Sequence, residues 1–161
     1  MSFEVARSED AVYVRVQGLG SMKTAPTLEA FVDAQVEEGA RQLVLDLGEC
    51  SGVDSTFMGT LLGVSNRLRE LGPGAGVALI NVDAHARKQL SSVGVDAFVK
   101  LVDGETELPG RLKLTELPTR AVSDKERLKL MVRAHKDLVA ADERNKAKFG
   151  AFLEAIIAEL E

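Results

Sequence analysis

Residues 43–63 read LVLDLGECSGVDSTFMGTLLG: an apolar run, a short loop, and an Asp-Ser-Thr triplet at the entrance to a helical pattern. The opening LVLDL is short, apolar and β-branched enough for a buried strand. From about Thr56 to Leu71 apolar residues recur at helical spacing, and the breaker cluster GPGAG then stops the helix. A buried strand feeding directly into a helix is half of a strand-helix-strand unit. The flanking sequence repeats that unit.

Working outward, AVYVRVQ at 11–17 alternates apolar and polar residues as a half-buried strand does. Thr27 is positioned to cap a helix carrying Leu28, Phe31, Val32 and Val36, with Gly39 as its stop. VALIN (77–81) reads as another buried strand, 84–92 as a short amphipathic helix, and FVKLV (98–102) as a final strand. FEVAR, near the start, adds one more strand. Strands separated by helices of this length pair in parallel through right-handed crossovers. The expectation is an α/β domain over residues 1–103, with a small, mostly parallel sheet. Its helices lie mainly on one side, because the alternation in AVYVRVQ leaves the other face polar.

Residues 104–122 hold two of the four prolines and no clear period, and read as a linker crossing the domain surface. The composition then changes. SDKE (123–126) fits a capping box ahead of an apolar-periodic run, and no proline follows it. Apolar residues continue at coiled-coil spacing, but His135, Asp142 and Lys146 fall on the same seam. A polar middle favours two helices, about 124–140 and 143–160, with Asp142 as the cap of the second. The extension 123–161 would bury Leu128, Met131, Val132 and Leu138 against Phe149, Phe152, Leu153 and Ile156. Such a tail either folds back on the α/β domain or pairs two copies into a homodimer. Its 8 basic and 8 acidic groups cancel, so the net charge of −5 belongs to residues 1–120.

That acidic balance argues against a nucleic-acid partner, which calls for a basic face. The lone Cys50 excludes an internal disulfide framework and fits a reducing compartment. The first residues, MSFEVARSED, lack the apolar core of a secretory signal, and no apolar run reaches the length of a membrane span. A cytoplasmic protein without membrane insertion is expected. Neither His85 nor His135 has a second ligand at metal-binding spacing, so each reads as a surface or helix-face histidine, and no metal is expected. The glycines match neither a phosphate loop nor a dinucleotide fingerprint, and no cofactor is expected.

The triplet Asp54-Ser55-Thr56 admits three readings. A serine or aspartate before a helix is a preferred cap, worth about 1 kcal/mol. A catalytic serine needs a base and a group that orients it; no G-x-S-x-G elbow surrounds Ser55, and no motif ties it to either histidine. Asp46 and Asp54 could supply paired carboxylates, but almost any chain offers such a pair. The third reading is presentation to another protein. A phosphate at a helix start carries about −1.5 to −2 charge and gains typically 0.3–1 kcal/mol from the helix dipole, leaving the core intact.

LVLDLGECSGVDSTFMGTLLGVSNRL resembles the central segment of STAS domains, the sulfate-transporter and anti-sigma-factor-antagonist family. Asp46 matches the family's strand aspartate, Val53-Asp54-Ser55-Thr56 its loop-to-helix signature, and Gly59 with Leu61 or Leu62 the first helical turns. The resemblance covers residues 1–103. It implies a non-enzymatic signalling module that binds an anti-sigma factor acting as a serine kinase. Ser55 would be the phosphoacceptor, Thr56 a lesser candidate, and a PP2C-type phosphatase would reverse the modification. Asp54, Ser55, Thr56, Phe57 and Met58 would face the partner. Phe57 departs from the family pattern, because many antagonists have glycine there. The alternative implied function is an adaptor or scaffold subunit of a signalling or transport complex that interacts through its C-terminal helices. In that case Ser55 is only a cap.

Overall fold

The computed structural model describes residues 3–161. Strands β1 (Phe3–Ser8) and β2 (Ala11–Gly20) form a hairpin and are followed by helix α1 (Ala25–Glu37). Next come β3 (Gln42–Val53), α2 (Ser55–Arg69), β4 (Gly76–Ile80), α3 (Ala84–Ser92) and the two-residue strand β5 (Lys100–Leu101). The chain closes with β6 (Thr115–Leu117), α4 (Asp124–Ala141) and α5 (Arg144–Leu160). The sheet order is β5-β4-β3-β2-β1-β6. β2 to β5 run parallel, while β1 is antiparallel to both of its neighbours. The α/β architecture read from the sequence is the one found.

Strand alternation decides which face is covered. Val12, Val14 and Val16 of β2 are buried while Tyr13, Arg15 and Gln17 are partly exposed. Val14 pairs with Leu45 of β3, and Leu45 with Leu79 of β4, which lines up an apolar row across the sheet. Leu28, Phe57, Leu61, Leu62 and Leu90 join that row in the buried core. Each such side chain, fully buried, is worth about 1.5–3 kcal/mol. The other face is polar. Asp46, 5% exposed, accepts from Asn81 Nδ2 at 3.0 Å and from the Gly48 N–H at 2.9 Å, with Arg15 Nε at 3.3 Å.

Several elements differ from the sequence expectation. Thr27 does not cap α1; it lies inside the first turn, and its hydroxyl accepts from the Arg120 N–H at 2.8 Å. The helix begins earlier because Pro26 is suited to a first turn, where its missing N–H costs nothing. Of FVKLV only Lys100 and Leu101 pair in the sheet, since a 3-10 turn at Val95–Ala97 occupies the approach. The 104–122 segment contains β6, which pairs with β1 and forms the sheet edge. Upstream of β6, Thr106 holds Asn81 by hydrogen bonds in both directions, so this stretch crosses the polar face.

The tail is a helical hairpin folded back on the α/β domain, with α4 lying along α2 and α5 along α4. α4 is capped by Ser123, whose hydroxyl accepts from the Glu126 N–H at 3.1 Å. It ends at Ala141, and the Asp142 carboxylate then accepts from the Arg144 N–H at the head of α5. Arg133 of α4 reaches Glu29 of α1 at 2.7 Å. The described helices include none long and apolar enough to cross a membrane.

Candidate functional site

The site lies where β3 passes into α2. Val53 is clamped by Gln89 of α3, which bonds its N–H at 3.2 Å and its carbonyl at 3.0 Å. Asp54 follows with extended backbone and serves as the helix cap, Oδ1 accepting from the Phe57 N–H at 2.8 Å. Oδ2 accepts from the Met22 N–H at 2.9 Å, and the Asp54 N–H donates to the Gly20 carbonyl at 2.9 Å. One carboxylate therefore caps α2 and ties down the loop between β2 and α1.

Because Asp54 caps, Ser55 does not. Ser55 is the first residue of α2, partly exposed, and its hydroxyl oxygen lies 2.9 Å from Nε2 of His135. His135 belongs to α4, in the extension, and is fully buried. Its Nδ1 lies 2.7 Å from the Met131 carbonyl. A carbonyl only accepts, so Nδ1 carries a hydrogen, and in the neutral ring Nε2 is a bare acceptor. The Ser55 hydroxyl therefore donates to His135. Burial holds the imidazole pKa below its ordinary value, opposed by the Met131 hydrogen bond and by the charge of Asp54. The rings of Phe149 and Phe152 stand edge-on to the imidazole, with centroids 5.3 and 5.0 Å away.

The five residues expected to face a partner divide at this point. Asp54 and Ser55 are partly exposed, whereas Thr56, Phe57 and Met58 are buried at 4%, 0% and 5% exposure. Phe57 is large because it fills the core, stacking on Phe3 at 6.5 Å. Thr56, the lesser acceptor candidate, is out of a partner's reach. The exposed apolar side chains around the site come from elsewhere. Leu19 and Met22 belong to the β2 end and the loop that Asp54 holds, and Phe152 leans on His135.

His135 is the member that sequence reading missed. It lies 80 positions from Ser55, and spacing carries no information over that distance. One signal was present: a histidine on the seam of the tail, among apolar neighbours Leu128, Val132 and Val139. His85 is exposed, and Asp46 keeps its own partners on the polar face of the sheet, so neither joins Ser55. A cleft of about 470 Å³ opens at the far end of β3, beside Gln42 and Phe98.

Among curated proteins no sequence matches the chain. By fold it is similar to the anti-sigma factor antagonist SpoIIAA in its unphosphorylated form. The TM-score is 0.56 at 16% identity, covering 63% of this chain and 89% of that one. The phosphorylated form of SpoIIAA from Bacillus gives a TM-score of 0.52 at 16% identity, covering 63% and 92%. An anti-sigma factor antagonist from Mycobacterium paratuberculosis, 25% identical, gives 0.54, covering 62% of this chain and 83% of that chain. The sequence model of the STAS domain matches residues 2–108, which contain β1 to β5, Asp54 and Ser55 but not the helical hairpin. The chain belongs to the STAS domain family.

Proposed function

We propose that the protein is a cytoplasmic, non-enzymatic signalling module of the anti-sigma-factor-antagonist kind, switched by phosphorylation of Ser55. One observation carries the reading: Asp54 does the capping, so the hydroxyl of the partly exposed Ser55 is not consumed by the cap. A phosphate there would sit at the positive end of α2 while adding negative charge to an already acidic domain. An acidic partner surface would then be repelled while the core remained intact. The partner in this reading is an anti-sigma factor that is also a serine kinase, with a PP2C-type phosphatase as the opposing enzyme. It docks on Asp54, Ser55 and the exposed Leu19, Met22 and Phe152.

The test uses the full chain with MgATP and each serine kinase or anti-sigma factor encoded in the same genome, followed by mass mapping. Phosphate is expected on Ser55. In calorimetry Ser55→Ala retains the partner, while Ser55→Asp binds at least about tenfold more weakly, equivalent to about 1.4 kcal/mol. Equal affinities for the two variants defeat the switch.

The second reading, an adaptor that docks through the hairpin, draws on the 43% exposure of Phe152. It expects Phe152→Ser to abolish complex formation, with Ser55→Ala and Ser55→Asp both silent.

A further inference from the structure

A serine hydroxyl is a weak nucleophile unless a base takes its proton and a third group holds that base. At Ser55 all three parts are present. The hydroxyl donates to His135 Nε2 at 2.9 Å, and the Met131 carbonyl fixes the ring from the far side at 2.7 Å. Phe149 and Phe152 of α5 pack against the imidazole and hold its plane. Gly59, one helical turn beyond Ser55, lies against Ala134, the residue before His135, and so brings α4 close against α2 at the pair. The acceptor lone pair of the buried imidazole meets the one hydroxyl at the head of α2 that the cap leaves unused.

We propose that Ser55 and His135 form a nucleophile–base pair, the extension supplying the group that takes the Ser55 proton when the hydroxyl attacks a phosphoryl donor. The proposal rests on, and deepens, the reading of Ser55 as a phosphoacceptor. The donor is a nucleoside triphosphate held by the partner kinase. The Ser55 oxygen bonds to the terminal phosphorus as the bond to the bridging oxygen breaks, and a nucleoside diphosphate leaves. The hydroxyl proton passes to Nε2, and the resulting imidazolium stands beside the new phosphate as its counter-ion. The transfer happens once per chain, so the module remains an acceptor and not an enzyme. The groups facing His135 are Ser55 and the Asp54 carboxylate from the start of α2, the two phenylalanine rings from α5, and the Met131 carbonyl of α4.

A small fluorophosphonate tests the pair without any kinase, because attack by Ser55 expels fluoride and leaves a stable phosphonate ester. Full-length protein is treated with the probe between pH 5.5 and 8, and the adduct is located and timed by intact and peptide mass. A single adduct on Ser55 is expected, forming more slowly toward the acid end, as protons compete with the Ser55 hydroxyl for Nε2. His135→Gln is expected to slow it by about 100-fold, the lower end of what a positioned base contributes. No adduct on the native chain, an adduct elsewhere, or an equal or faster rate in His135→Gln overturns the proposal. Should His135→Gln fail to fold, nitrogen NMR of the unaltered protein decides. At pH 7.5 a hydrogen on Nδ1 and a bare Nε2 support the pair, and the opposite tautomer ends it. The two readings fail separately. Histidine-dependent labelling without kinase phosphorylation leaves the pair and removes the switch. Kinase phosphorylation at an unchanged rate in His135→Gln does the reverse.

Discussion

Gly59 decides how closely α4 approaches α2. A Cβ built on it would lie 2.8 Å from the Ala134 Cβ and closer still to the Ala134 carbonyl, which is backbone and cannot swing aside. Gly59→Ala should therefore push the helices apart and cost about 1–3 kcal/mol, the usual range for overpacking, read from urea unfolding. Because His135 follows Ala134 directly, the same variant should lengthen its contact with Ser55. At this scale the sequence announced Ser55 but not its state. Serine and aspartate are both good caps, and only the folded loop, with Met22 donating to Asp54, assigns the cap to Asp54 and spares the serine. Gly59 read simply as part of the family pattern; its use as a seat for the extension needed the partner helix to be visible.

The joint between α4 and α5 sits on the end of α3. Asn145 is fully buried and donates through Nδ2 to the Val93 carbonyl at 2.8 Å and to the Leu138 carbonyl at 2.7 Å. Arg144 beside it donates to the Ser91 carbonyl at 3.1 Å. Asn145→Asp would keep the shape but aim a carboxylate at two carbonyl oxygens. It should cost about 3 kcal/mol or more, the penalty of a buried charge without a partner. Hydrogen exchange should place the loss in α4 and α5, with β3 still protected. The break between these helices was legible, because Asp142 and the polar neighbours of the seam interrupt an otherwise continuous pattern. β6 was not: three residues, TEL, are too few to show an alternation, and their pairing with β1 is a long-range event. Thr27 misled for a local reason, since the first-turn preference of Pro26 outranked it.

Across the whole molecule, the parallel pairing of β2 to β5 followed from the strand-helix alternation, but the seating of the tail did not, because nothing in a helical pattern names the surface it will cover. That seating gives the protein a pH dependence. His135, held neutral by burial between α2, α4 and α5, has a folded pKa below its ordinary value. The unfolded chain binds its proton near pH 6.5, where the folded chain still refuses it. Stability from this group is therefore complete above about pH 6.5 and is lost as pH falls below that value. Asp33 and Asp137 act in the opposite sense. Burial raises both carboxyls, so the folded state takes up protons first. A thermal series from pH 8 to pH 5.5, run beside the same series on His135→Gln, isolates the histidine. The melting temperature of the native chain should fall toward the acid end, and hydrogen exchange should rise first in α4 and α5. A folded His135→Gln has no proton to gain there, and its melting temperature should be flatter over the same range. If the native chain melts at one temperature throughout, burial does not hold the His135 pKa below its unfolded value, and the seating of the tail gives the fold no pH dependence through this group.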